Sequence, residues 1–205
     1  MLTPSSSPQP QRPTAERLLD AAEKLMRTVG LVHTTTKAIA REAGCSEAAL
    51  YKHYANKEEL FVRVLMERTP NAGALLTALA ADPAEGRVEE GLAEIATHAS
   101  LFYADAMTMA ASIFAEPSLL SRHREGIRAQ GAGPHMVREA LVRYLERART
   151  RGTVGPDADV RAAAALLLGA CFQRAFFLHA AGEEVVDPVE QFAPAVARAV
   201  WAALR

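Results

Sequence analysis

The stretch CSEAALYKHYANK, Cys45 to Lys57, sets Tyr51, Lys52, His53 and Lys57 beside Ala48 and Ala49. A phenol hydroxyl, a ring N–H and ammonium groups offer hydrogen bonds and charge attraction to phosphate. At about 100° per residue on a helix, Leu50 and Tyr54 point one way and pack inward with Cys45. Ala48, Lys52 and, to one side, Ala49 fall on the opposite face. Tyr51 and His53 then stand on its two flanks, about 200° apart.

A small front with two polar shoulders suits the major groove of B-DNA, about 12 Å wide, because bulky front residues would hold the backbone away from the base edges. Tyr51, by its hydroxyl, and His53, by a ring N–H, reach phosphates on either shoulder. Lys57 adds charge at the start of the next helix, whose free N–H groups also suit phosphate. Base discrimination would fall to Ala48 and Ala49 on thymine methyls, Glu47 accepting from a cytosine amine, and Lys37 or Lys52 donating to guanine. Taken singly, Tyr51, His53 and Lys57 also suit a solvated surface; their combination in one frame favours the groove.

That frame is a set of short helices. Leu18, Ala22, Leu25, Met26 and Val29 recur at steps of three and four from Thr14 to Val29, and Gly30 stops the run. Thr35 can cap a helix running to Ala43, Gly44 turns the chain, and Ser46 can cap the next. Asn56 with Glu59 resembles a capping box for a third. Short helices joined by a glycine turn read as helix-turn-helix.

Pro70, Asn71 and Gly73 predict a kink or break. Beyond it the expected helices are Arg87 to Phe102, Asp105 to Ala115, Ser118 to Gln130, Pro134 to Thr150, Ala158 to Ala180 and Val189 to Leu204. With 50% hydrophobic and only 6% aromatic residues, rich in alanine and leucine, the chain is expected to be all-α.

Charge divides unevenly: residues 1 to 69 carry 10 Lys/Arg against 8 Asp/Glu, the rest 13 against 16. Cys45 and Cys171 lie far apart and outside any CxxC, which removes the zinc-finger and redox spacings and leaves two buried free thiols. MLTPSSSPQPQRP has no apolar signal core and reads as a disordered arm, 1–13. The apolar run Ala162 to Phe172 is short of the ~20 residues that span a bilayer, so no membrane and a cytoplasmic location are expected.

His98, His123, His135 and His179 are scattered, and no metal or cofactor is expected; neither a Walker loop nor GxSxG occurs. The last two helices are apolar around most of their circumference, as a subunit interface or a central core helix would be. Phe102, Met109, Phe114, Tyr144, Phe172 and Phe176 are candidates to line a small-molecule pocket, each more readily read as simple core.

TTKAIAREAGCSEAALYKHYANKEEL, Thr35 to Leu60, resembles the DNA-binding domain of the TetR family of bacterial transcriptional regulators. Thr35-Thr36, Ile39-Ala40, Ala43-Gly44, Leu50-Tyr51, His53 and Lys57 to Leu60 fall in the family's order, and the resemblance covers roughly 15 to 68. It implies a three-helix helix-turn-helix domain, 14–68, followed by a larger helical-bundle ligand-binding and dimerisation domain, 69–205. It also implies a homodimer through 158–180 and 189–204 on near-palindromic double-stranded operator DNA, with a small-molecule effector. Thr35, Thr36, Tyr51, His53 and Lys57 would meet phosphates; Lys37, Glu47, Ala48 and Ala49 would lie near bases, and Ser46 and Lys52 complete the candidate contacts. Tyr54 stands where the family often has Phe, and Pro70 with Gly73 interrupts a helix that is usually longer. Repression is the family's commonest outcome. The rival readings are a helical-bundle enzyme with a vestigial DNA module and a ligand-independent DNA binder.

Overall fold

The computed structural model describes residues 12–68, 71–83, 86–115, 117–130 and 133–205, and its regular elements are all helices. They are α1 (Thr14–Thr28), α2 (Gly30–His33), α3 (Thr36–Glu42), α4 (Glu47–His53), α5 (Lys57–Arg68) and α6 (Ala72–Ala80). Next come α7 (Val88–Ala115), α8 (Pro117–Gln130), α9 (His135–Thr150), α10 (Val160–Ala181) and α11 (Val189–Ala202), with a 3-10 turn at Glu183–Val185 before α11.

The local signals act as their chemistry requires. Thr35 Oγ1 accepts from the Ala38 N–H at 3.1 Å and Ser46 Oγ from the Ala49 N–H at 3.2 Å, each satisfying a donor that the helix leaves free. Gly44 takes φ +66° between them, a conformation that a side chain strains. Asn56 Oδ1 accepts from the Glu59 N–H, while the Glu59 carboxylate accepts from Ala55 rather than from Asn56, both at 2.7 Å. The expected capping box is therefore present with its return bond one residue upstream. Asp159 caps α10 by accepting from the Arg161 and Ala162 N–H groups.

Two apolar clusters form. The first joins Leu18, Met26, Ile39, Leu50, Tyr54, Leu60, Phe61 and Val64, and it takes in Ile113 from α7, with Leu120 of α8 packed against it. The second runs from Leu75 through Leu92, Ile95, Leu141, Leu145, Leu167 and Cys171 to Leu204. Helix α7 is the axis: it packs most extensively on α11 and α10, and reaches α2 and α8 at its other end.

Several expectations are corrected. The two helices expected over Arg87 to Ala115 are one, because Tyr103-Ala104-Asp105 contains no helix breaker, and the Asp105 carboxylate accepts from Asn71 Nδ2 at 3.3 Å. Helix α5 ends at Arg68 and α6 begins at Ala72, with Asn71 at φ +67°; Pro70 itself lies outside the described residues, as do residues 1–11 of the arm. Helix α10 is 22 residues long and apolar enough, by length and composition, to cross a membrane. A third of its apolar stretch (33%) is buried, in contacts with α7, α9 and α11.

Candidate nucleic-acid interface

Leu50, fully buried, pins α4 onto the first cluster, a contribution of about 1.5–3 kcal/mol for a leucine side chain. Tyr54 reaches the same side by a different route from the one periodicity predicts. It leaves the helix in extended conformation at φ −136°, stays buried, and donates its hydroxyl to the Ala15 carbonyl at 3.2 Å. Burial pushes its phenol pKa up. The end of α4 is thus tied to α1. Away from these anchors Glu47, Ala48, Tyr51, Lys52 and His53 are exposed and Ala49 is half-buried; Tyr51 is 53% exposed despite its size.

Three predicted residues, Thr36, Glu47 and Lys57, make bonds within the chain. The Thr36 hydroxyl donates to the Glu47 carboxylate at 2.5 Å, bracing α3 against the first turn of α4, where a carboxylate also suits the helix dipole. Lys57 Nζ donates to the Leu31 carbonyl at 2.7 Å, linking the start of α5 to α2. The spacing that suggested these side chains as outward contacts carries no trace of such bonds, which join segments 11 and 26 residues apart. Thr35 and Ser46 use their oxygens as cap acceptors, leaving each hydroxyl hydrogen to donate elsewhere. Cys45, expected to be buried, is half-buried beside them.

Charge pairing separates the faces of this unit. Lys24 is held by Glu42 at 2.5 Å, Arg27 by Glu23 at 3.1 Å, and Arg63 by Glu67 at 2.7 Å. Arg68 is held by Glu16 and Asp20, and Arg12 by Asp20. The Lys24 ammonium, chiefly by its hydrogen bond, holds the Glu42 carboxyl below the usual carboxylate range. Lys37, Arg41 and Lys52, by contrast, have no carboxylate partner among the described residues, and all three are exposed. A concavity of 580 Å³ opens between α3 and the start of α4, lined by Thr35, Lys37, Ala38, Ala40, Arg41, Cys45 and Glu47. Arg41 stands one helical turn beyond Lys37 on α3.

The candidate effector-lining residues with described side chains have different surroundings. Tyr144 is buried, its hydroxyl hard against Gly91, and borders an open cavity of 200 Å³ whose rim is charged by Asp82, Arg87, Glu90 and Glu94. Phe102 is half-buried against the second cluster. Phe114, Phe172 and Phe176 stand on the outside, 67%, 47% and 52% exposed, and so are not interior lining in the single chain. The Met109 side chain lies outside the described residues. Apolar character all around a helix does not distinguish a cavity wall from a surface awaiting another subunit. Among the described residues no three His, Cys, Asp or Glu side chains gather to hold a metal ion.

The family model described as bacterial regulatory proteins, tetR family, matches residues 18–64, which is the unit just built. In fold the chain is similar to GusR of Salmonella enterica, with a TM-score of 0.70 at 22% identity over 96% of this chain and 97% of that one. It is also similar to the transcriptional regulator FadR of Bacillus subtilis, solved in complex with stearoyl-CoA, with a TM-score of 0.61 at 16% identity over 93% and 99% of the two chains. In sequence it is 29% identical over 143 residues to YvkB, an uncharacterised HTH-type transcriptional regulator of Bacillus subtilis (strain 168), covering 70% of this chain and 71% of that protein. Residues 18–64 thus match the DNA-binding unit of the tetR family of bacterial regulatory proteins, and the likeness to an HTH-type transcriptional regulator runs well past that unit.

Proposed function

We infer that the chain is a cytoplasmic, homodimeric repressor that holds a near-palindromic operator and releases it on binding a small-molecule effector. The unit 14–68 reads DNA, and 69–205 supplies dimerisation and the effector response. The observation that carries this reading is the exposed α4 face, small at Ala48 and flanked by Tyr51 and His53, beside cations that no carboxylate neutralises. Ala48, Ala49, Glu47, Lys37 and Lys52 approach base edges, while Thr35, Ser46, Tyr51 and His53 meet phosphates. Thr36 and Lys57 hold the reader's shape through Glu47 and Leu31.

Dimerisation uses the outer row of α10, where Leu166, Phe172, Phe176 and Phe177 are exposed along one helix, together with α11. Gly169 in the middle of that row has open space before it, which allows a second helix to approach closely. Two reading heads must meet half-sites about 34–36 Å apart, so a small change in their separation loses several contacts at once. The path for such a change is short: α8 packs on α5, and Ile113 and Leu120 complete the reader's own core. An effector releases DNA only if it binds the DNA-incompatible arrangement better. The stearoyl-CoA carried by FadR supports a ligand-responsive reading for a chain of this fold.

The test is a gel shift with the DNA upstream of the chain's own gene. A sequence-specific shift at moderate salt supports the reading, and its absence sinks it. A ligand-independent DNA binder is the second reading. Native mass spectrometry separates the two, since an effector-responsive chain carries or takes up a small molecule that weakens the shift.

A further inference from the structure

We propose that Arg41 is a phosphate-binding residue of the DNA interface, gripping one strand from α3 in a way that does not depend on sequence. The proposal rests on the α3–α4 face being the one that meets DNA. Arg41 follows Lys37 by one helical turn, so both side chains project from the same side of α3, and both border the 580 Å³ concavity beside Thr35 and Glu47. The carboxylate next to Arg41 in sequence, Glu42, is taken by Lys24 of α1 at 2.5 Å. Arg41 itself forms no ion pair among the described residues, whereas Arg12, Arg27, Arg63 and Arg68 of the same unit are each held by a carboxylate.

The class of ligand follows from the helix that carries it. In a helix-turn-helix the second helix enters the major groove while the first crosses the sugar-phosphate backbone. A guanidinium late in α3 thus meets the strand edge, and its planar fork matches two oxygens of one phosphate. The concavity leaves room for the strand to approach between α3 and the start of α4.

The experiment is fluorescence anisotropy of the full chain on a random-sequence duplex of about 30 base pairs, long enough for two half-sites, titrated at a series of salt concentrations. Arg41→Gln should reduce the slope of log affinity against log salt by about 0.9, and weaken binding about eightfold at about 0.1 M salt, the loss that one released counterion implies. Arg41→Lys, which keeps the charge, should restore the slope. Arg27→Gln, which loses a cation already paired with Glu23, should match the unaltered chain. Thermal midpoints of all three variants verify folding. An Arg41→Gln variant of unchanged slope overturns the proposal, as does one whose slope holds while its sequence preference shifts, which would make Arg41 a base reader. If the unaltered chain binds no duplex at any salt, the DNA-facing assignment of this surface fails, and the proposal fails with it.

Discussion

Gly126 on α8 lies so close to Glu58 on α5 that a methyl group at Gly126 would stand 3.1 Å from Glu58 Cβ. Helix α5 begins three residues after Tyr54, and Phe61 of α5 meets the His123 ring of α8 edge-on at 5.3 Å between centroids. The second half of the chain therefore touches the reader where the reader's last helix starts. Gly126→Leu would gain up to about 1 kcal/mol of helix propensity but overpack this seam at a cost of about 1–3 kcal/mol. The expected outcome is a lower thermal midpoint and a changed operator affinity. A variant with both values of the unaltered chain would show that α8 does not bear on α5.

Leu50 and Tyr51 are adjacent in sequence and opposite in consequence. Leu50→Ala empties a fully buried position and should cost about 2–5 kcal/mol by denaturant unfolding. Tyr51→Ala removes an exposed side chain and should leave stability within about 0.5 kcal/mol, while weakening binding to duplexes of every sequence. Equal stability losses in the two variants would mean that the α4 face has been assigned wrongly.

His123 is half-buried against Phe61, and that burial, opposed more weakly by Glu58, holds its pKa below the ordinary 6.5. The folded chain thus keeps a neutral imidazole more readily than the unfolded chain does. This contribution to stability is complete above about pH 6.5 and declines as pH falls from there toward the folded pKa. Melting curves between about pH 7.5 and 5 should fall more steeply in the unaltered chain than in His123→Gln; parallel curves would refute the burial argument.

The two cysteines should separate by reactivity. Cys171 is fully buried, donates to the Ala96 carbonyl at 3.5 Å, and burial pushes its thiol pKa up to about 11. Cys45 is half-buried at the edge of the open concavity. A disulfide-forming thiol reagent should titrate Cys45 in the native protein, and Cys171 only after denaturation. Rapid native labelling of both would contradict the packing of α7 on α10.

Phe176→Glu places a charge in the exposed apolar row of α10. Light scattering should find the variant at half the mass of the unaltered chain, with weaker operator binding because the half-sites are no longer engaged together. A variant that remains dimeric would move the interface elsewhere.

What the sequence determined by itself is chiefly local. The caps at Thr35, Ser46 and Asn56, the turn at Gly44 and the inward Leu50 were legible because each depends on groups within four residues of one another. The reader's small front was legible for the same reason, since helical periodicity sorts neighbouring side chains into faces. Tertiary structure decided what depends on distant partners: that Thr36 and Lys57 bond to Glu47 and Leu31, that Lys24 pairs with Glu42, and that Ile113 completes the reader's core. It also decided that α7 runs unbroken past Asp105, and that Phe172 and Phe176 are about half exposed in the single chain. A periodic pattern states which side of a helix is apolar; only the packing of one helix on another settles what that side meets.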